Sequence, residues 1–336
     1  VADRFFFSPQ PNVPGKGIVA SYNPTFWALV VVIGLIAGAA GAALMELLHA
    51  IEHLAWSYQS GTFLAAVEAT TAAHRVLVLL GAGVIAGVGG LLLKRLHGFG
   101  GGEVSEAVWL EGGRLAVRPS VERGVLSIVI VAMGASLGRE AAPQLTGAAA
   151  ASRLCEKFGL PQWQRRLLVA CGAGAGMAAV YNVPLGGALF ALEVLLGTLA
   201  LPLVLPALAT SLIATAIAWI ALHNVPTYPI PSYAVSGSQI VWAALVGPLA
   251  GLAAVAWVRL IARVHDLRPT GRGRLLAPIV ALTALGVISI AYPQLLGNGK
   301  DTVELAATGA LAASTLAALV VLKPIMTAAC LGSGAP

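Results

Sequence analysis

The sequence predicts an all-α integral membrane protein whose helices are in part broken and re-entrant, and three observations predict it. Of its 336 residues, 58% are hydrophobic and only 10% are charged, against about 25% charged in an average soluble domain. Several apolar stretches reach or approach the roughly 20 residues with which an α-helix crosses the hydrocarbon core. The clearest are Phe26 to Met45, Val76 to Leu93, Leu199 to Leu222, Gln239 to Val258, Leu275 to Leu296 and Leu305 to Leu322. Between the long spans lie shorter apolar pieces broken by Gly and Pro: Val125 to Leu137, Ala141 to Ala151, Leu167 to Val180 and Leu185 to Leu192. Each is too short to cross alone. Irregular backbone at membrane depth is tolerated only where it is buried in protein or lines a cavity, so the broken pieces point to a binding site or pore.

The first span is a retained helix. It is too long for a signal-peptide core, lacks a basic flank immediately before it, and is followed by Glu46 and His49 rather than a small-residue cleavage site. A net charge of +6 would suggest nucleic acid in a soluble protein, but here the basic residues follow a topological pattern. Residues 51–74 contain no Lys or Arg, whereas Lys94, Arg95, Arg114, Arg118 and Arg123 crowd the next polar region. Residues 167–258 again contain none, before Arg259, Arg263, Arg268, Arg272 and Arg274. The positive-inside rule therefore sets 94–123 and 259–274 on the cytoplasmic side and the turns near 52–74 and 223–238 outside. The expected partner is the lipid bilayer, not nucleic acid, and the expected location is a multi-pass one in a membrane. Cys155, Cys171 and Cys330 are far apart, with no CxxC spacing, and suggest neither a disulfide framework nor structural zinc.

The chemistry concentrates in Gly138-Arg139-Glu140-Ala141-Ala142-Pro143, an ionisable pair between two apolar half-helices. Gly138 lets the backbone turn, and Pro143 suits the first turn of the helix that follows. The unpaired amides and dipole of that helix start favour an anion, and a carboxylate just before it would occupy the same place. Glu140 is thus a candidate gate, a tethered anion that competes with a mobile one and withdraws when protonated. The alternative is a buried Arg139 to Glu140 ion pair that only holds helices together. A second break, Cys330-Leu331-Gly332-Ser333-Gly334-Ala335-Pro336, echoes Ser136-Leu137-Gly138 through Pro143 and suggests inverted repeats. On that reading 1–336 is a single transmembrane domain, with 26–222 the first repeat and 239–336 the start of the second. A helix is then expected after Pro336, which makes the domain incomplete.

Gly-Arg-Glu-x-x-Pro after an apolar helix resembles the Gly-Arg-Glu-Gly-Pro motif of the CLC family of chloride channels and chloride/proton antiporters, with Ala141-Ala142 in place of Gly. Gly172 to Val180, Tyr181-Asn182-Val183-Pro184 and Leu185 to Phe190 resemble that family's Gly/Ala-rich helix, Phe-Asn-x-Pro break and following helix. Gly297-Asn298-Gly299, Lys323 to Thr327 and Gly332 to Pro336 resemble its second-half motifs, so the similarity runs from about 75 to 336 in the right order. The resemblance implies a CLC-type inverted-repeat bundle, a homodimer with an anion pathway in each subunit, Glu140 as gate, and Gly138, Arg139, Ala141 and Ala142 at the outer anion sites. Helices over about 193–222 would contribute to the dimer contact.

Three departures qualify it. The family's Gly-Ser-Gly-x-Pro segment aligns with Gly98-Phe99-Gly100, so at this anion-binding position Phe99 stands where a serine hydroxyl would donate, and a phenyl ring offers only its weakly positive edge. The family's cytoplasmic proton-carrying glutamate aligns with Val194, which cannot carry a proton. Glu193 is a possible substitute, although one residue along a helix turns a side chain by about 100°. The family's Gly-x-Phe-x-Pro segment and pore tyrosine would lie beyond Pro336. The expected function is therefore permeation of chloride or another halide, passive or weakly proton-coupled and gated by protonation of Glu140. A chloride/proton antiporter with a substitute proton path is the alternative, and a membrane scaffold or metal-binding protein is the alternative from another class.

No cofactor is expected beyond bound chloride or another halide; the transport reading implies no enzyme, and a nucleotide-using enzyme or pump has no support, because neither a GxGxxG after a strand nor a P-loop occurs. Glu46, His49 and His53 share roughly one helix face and have metal-ligand chemistry, but polar residues are also common where a span meets water, and no second cluster completes the ligand set. Gly83 to Gly87 and Gly172 to Gly176 carry the small-xxx-small spacing of close helix packing.

Overall fold

An amide in lipid finds no water, so an apolar run closes its hydrogen bonds within itself and becomes a helix. The structure, a computed structural model, describes residues 22–97, 103–228 and 236–335, and all regular structure among them is helical. In chain order the α-helices are α1 (Pro24–Trp56), α2 (Phe63–Ala69), α3 (Ala72–His97), α4 (Val104–Trp109), α5 (Val117–Ala132), α6 (Ala141–Lys157), α7 (Gln162–Tyr181) and α8 (Pro184–Leu189). A π-helical turn (Phe190–Leu195) continues α8, followed by α9 (Leu201–Ala218), α10 (Gly237–Asp266), α11 (Gly273–Ile288), a 3₁₀ turn (Pro293–Leu295), α12 (Lys300–Ala307) and α13 (Ala313–Gly332). Five of these, α1, α3, α9, α10 and α13, are long and apolar enough to cross a membrane.

Three expectations from hydropathy are corrected. The run 305–322 is not one span. The α12 helix ends with the Gly309 amide bonded to the Ala306 carbonyl and the Ala310 amide to that of Leu305, while Gly309 takes φ +73°. That paired closure with a left-handed glycine is a Schellman stop, which an average over apolar residues does not register. The run 275–296 stops as a helix at Ile288, where the Ser289 hydroxyl donates back to the Gly286 carbonyl at 2.7 Å and Pro293 opens a 3₁₀ turn. Conversely, 167–180 belongs to a helix of 20 residues, because the polar segment from Gln162 to Arg166 winds as its first turns.

The described residues divide into two compact units. One gathers those of 1–47, 93–128 and 139–227, and the other those of 48–92, 129–138 and 228–336. In the first, α7 is the axis. Nearly every side chain from Leu167 to Val180 is buried, and α6, α8 and α9 pack around it. These crossings rest on small residues. A Cβ at Gly147 or at Gly172 would collide with the other's carbonyl, one at Gly174 with Gly187, and one at Gly176 with the Pro143 carbonyl. Gly38 lies as tightly against the Ala214 carbonyl, which brings α1 onto α9. Lipid supplies no hydrophobic force between helices, so this close approach, with its dispersion contacts, is the attraction itself. At the start of α1, Asn23 Oδ1 caps the Phe26 amide at 2.8 Å and Tyr22 stacks on Phe26.

In the second unit, the spacing of Gly83 and Gly87 serves the packing expected of it. A Cβ on Gly83 would lie 2.7 Å from Ile279 Cα, and one on Gly87 2.6 Å from the Leu275 carbonyl oxygen, both on α11. Charges here are matched to backbone. Arg75, 8% exposed, donates to the carbonyls of Ser289 (2.9 Å), Glu68 (3.2 Å) and Thr70 (3.4 Å). Lys323 on α13 donates to those of Leu295 (2.9 Å) and Gly297 (2.8 Å), and Asp301 accepts from the Leu64 amide at 2.9 Å. Each ion thus keeps hydrogen bonds where water is scarce.

Candidate anion site at a helix start

The sequence of α6 sets up a helix start with donors to spare. Glu140 occupies the N-cap, Ala141 and Ala142 open the helix, and Pro143 has no amide hydrogen. The Gln144 amide bonds to the Glu140 carbonyl at 3.2 Å, so the amides of Ala141 and Ala142 are the ones left without an acceptor among the described residues. Ala141 is exposed and Ala142 buried. The helix dipole adds partial positive charge at the same point.

Glu140 does not close this site with its own side chain. An N-cap side chain usually bonds the amide two or three residues on, from an extended backbone. Here the third residue is proline, Glu140 is in the right-handed helical region (φ −77°, ψ −29°), and its carboxylate makes no capping bond. Its acceptor is filled elsewhere, because Tyr181 Oη donates to Glu140 Oε2 at 3.0 Å. The Arg139 guanidinium carbon lies 5.4 Å from the centre of the Tyr181 ring, within cation-π range, while Arg139 Nε is buried without a hydrogen-bond partner among the described residues. In place of the alternative, a direct Arg139 to Glu140 ion pair, the Tyr181 ring receives the cation and its hydroxyl the anion.

Tyr181 is held in place by the end of α7. Asn182 takes the left-handed conformation (φ 56°, ψ 42°) and stops the helix. Its side chain accepts from Trp219 Nε1 at 2.8 Å and donates to Asn224 Oδ1 (3.0 Å) and the Val225 carbonyl (3.1 Å). The Thr227 hydroxyl takes the Tyr181 carbonyl at 2.6 Å, and Pro184 then opens α8. Upstream, the contact of Gly176 with Pro143 fixes how α7 crosses the first turn of α6, and so sets the reach of Tyr181 to Glu140.

Of the residues expected at the site, Arg139, Glu140, Ala141 and Ala142 come together with Tyr181. Gly138 immediately precedes them in the chain. Gly98, Phe99 and Gly100 lie outside the described residues. Glu193 and Val194 are neighbours on the π-helical turn, and both are exposed, Val194 by 59%. Among the described residues no group of three His, Cys, Asp or Glu side chains is placed to hold a metal, and His53 instead meets Tyr58 edge to face at 4.6 Å. Sequence reasoning missed the role of Tyr181, which it saw only as part of a helix break. The available signal was a hydroxyl where the family motif carries phenylalanine.

The fold and the site together define a polytopic membrane protein of broken helices with an exposed helix start at an ionisable pair. Residues 82–336 match the family model described as voltage gated chloride channel, and the chain belongs to that family, the CLC proteins. Members of this family are channels and transporters rather than enzymes. The chain is 30% identical over 326 residues to the voltage-gated ClC-type chloride channel ClcB of Shigella flexneri, covering 92% of this chain and 75% of that one. It is 29% identical over 323 residues to ClcB of Escherichia coli strain HS, with the same coverage. Among solved structures it resembles a slow cyanobacterial chloride/proton antiporter (TM-score 0.77, 20% identity, 94% of this chain and 75% of the other). It also resembles a CLC-type fluoride/proton antiporter (TM-score 0.72, 19% identity, 96% and 78%).

Proposed function

We propose that this protein carries chloride or another halide across the membrane, with Glu140 as a protonation-dependent gate and with passive or weakly proton-coupled flux. The observation that carries the reading is that, among the described residues, the amides of Ala141 and Ala142 have no acceptor and stand beside a carboxylate that is not bonded to them. An anion and the Glu140 carboxylate would compete for that helix start, and protonation would remove the competitor. Val194 supports weak coupling, because it stands where the family's proton-carrying glutamate aligns and a valine side chain cannot ionise. The second reading, tight chloride/proton exchange, is favoured by the exposure of Glu193 next to it. We read 26–222 and 239–336 as belonging to two inverted repeats, and the working form as a homodimer in the bacterial inner membrane.

The test is simultaneous recording of chloride efflux and external pH from proteoliposomes under a chloride gradient. Chloride efflux without proportionate proton movement is expected. Protons driven against their gradient in fixed ratio to chloride would overturn the passive mechanism in favour of exchange, and Glu193→Gln would then be expected to uncouple the two. An absence of flux for chloride and every other halide would overturn the transport reading itself.

A further inference from the structure

The Glu140 carboxylate has two competing sets of donors within reach of its backbone position: the amides of Ala141 and Ala142, and the hydroxyl of Tyr181. The structure has it on the second. Two local features weaken its hold on the first. Pro143 removes one of the two amides that an N-cap side chain normally reaches, and the helical backbone of Glu140 differs from the extended one that capping uses. The hydroxyl, by contrast, sits on a ring fixed by the αL turn at Asn182 and faced by the Arg139 cation. A cation over the ring draws charge from the phenol and makes its O–H a better donor to a carboxylate. No other Asp, Glu, Lys, Arg or His lies on α8 or α9, and the remaining ones on α6 and α7, Arg153, Glu156, Lys157, Arg165 and Arg166, lie toward the opposite ends of those helices.

We propose that Tyr181 is a positioning residue for the gate, a latch whose hydroxyl draws the ionised Glu140 side chain part of the way from the α6 amides and weakens, without abolishing, its competition with the anion. This rests on the reading of Glu140 as the gate. The latch acts on competition. With the hydroxyl present, part of the carboxylate's hydrogen bonding is met away from the anion site, and an anion displaces less from the amides in order to bind. Without it, the carboxylate returns to the amides and chloride meets stronger competition.

The test is Tyr181→Phe, alone and combined with Glu140→Gln, with chloride flux from proteoliposomes measured over a range of chloride concentrations. Phenylalanine keeps the ring against Arg139 and removes one oxygen. Expected is a rise of about tenfold in the chloride concentration for half-maximal flux, the scale of one hydrogen bond to a charged group, with a smaller change in maximal flux. In the Glu140→Gln background the same substitution is expected to leave the half-maximal concentration unchanged, which a purely structural role would not produce. An unchanged or lowered half-maximal concentration in Tyr181→Phe, or an equal rise in both backgrounds, would overturn the latch while leaving the gate intact. If Glu140→Gln alone leaves flux unchanged at every chloride concentration and pH, the gate fails and the latch with it.

Discussion

Adding a side chain at the crossing of α6 and α7 tests whether glycine packing holds the first unit together. Gly147 and Gly172 face each other so closely that a Cβ on either would overlap the other's carbonyl oxygen and lie 2.9 Å from its carbonyl carbon. The obstacle is backbone on both sides, so no side-chain rotation relieves it. The helices must part, and both are buried along the crossing. Overpacking of this kind costs about 1–3 kcal/mol in well-packed cores, and loss of close contact along two neighbouring helices adds to it. Gly147→Val is therefore expected to lower the melting temperature of the detergent-solubilised protein and its yield of monodisperse material, and Gly172→Val to do the same. Gly90→Ala on α3 is the control. Nothing lies within 4 Å of its Cβ position, and helix propensity favours alanine by about 1 kcal/mol. Wild-type melting in both valine variants would refute the claim that backbone contact at this crossing is essential.

Three further outcomes follow from local geometry. Arg75→Met should destabilise the protein by about 1–3 kcal/mol, because the carbonyls of Ser289, Glu68 and Thr70 lose a charged donor; thermal unfolding in detergent checks this, and Arg75→Lys should rescue only in part, since an ammonium lacks the guanidinium's fork. Asn182→Gly should melt closer to wild type than Asn182→Ala, because both lose the bonds to Trp219, Asn224 and Val225 but only alanine also carries the strain of a left-handed backbone. Near the start of α5, the hydrogen bond from Arg118 and then that from His97 hold the Glu122 carboxyl below its ordinary range. A depressed carboxyl contributes stability above its unfolded pKa and loses it as pH falls through the folded one. The melting difference between wild type and Glu122→Gln should therefore be present at about pH 7 and shrink as pH falls below the ordinary carboxylate range; a difference independent of pH would contradict this.

Helix existence was legible wherever hydrophobicity persisted, as in the spans around Phe26 to Met45, Val76 to Leu93 and Gln239 to Val258, because lipid leaves the backbone no other way to satisfy itself. Helix ends were less legible. The stop at Gly309 and the turn after Ile288 depend on single hydrogen bonds and on one positive φ, and the polar first turns of α7 carry no apolar signal. At the candidate site, the Gly-Arg-Glu motif singled out Arg139, Glu140, Ala141 and Ala142, since an ionisable pair between apolar half-helices is costly without a purpose. Tyr181 lies 41 residues downstream of Glu140. No local pattern joins the two; their meeting depends on how Gly176 lets α7 cross the first turn of α6.

The central claim, that Glu140 gates an anion path, is tested most directly by chloride flux from proteoliposomes of wild type and Glu140→Gln as external pH is lowered. The account predicts wild-type flux that rises with acidity and Glu140→Gln flux that is high and independent of pH. Identical pH profiles in the two proteins would contradict it.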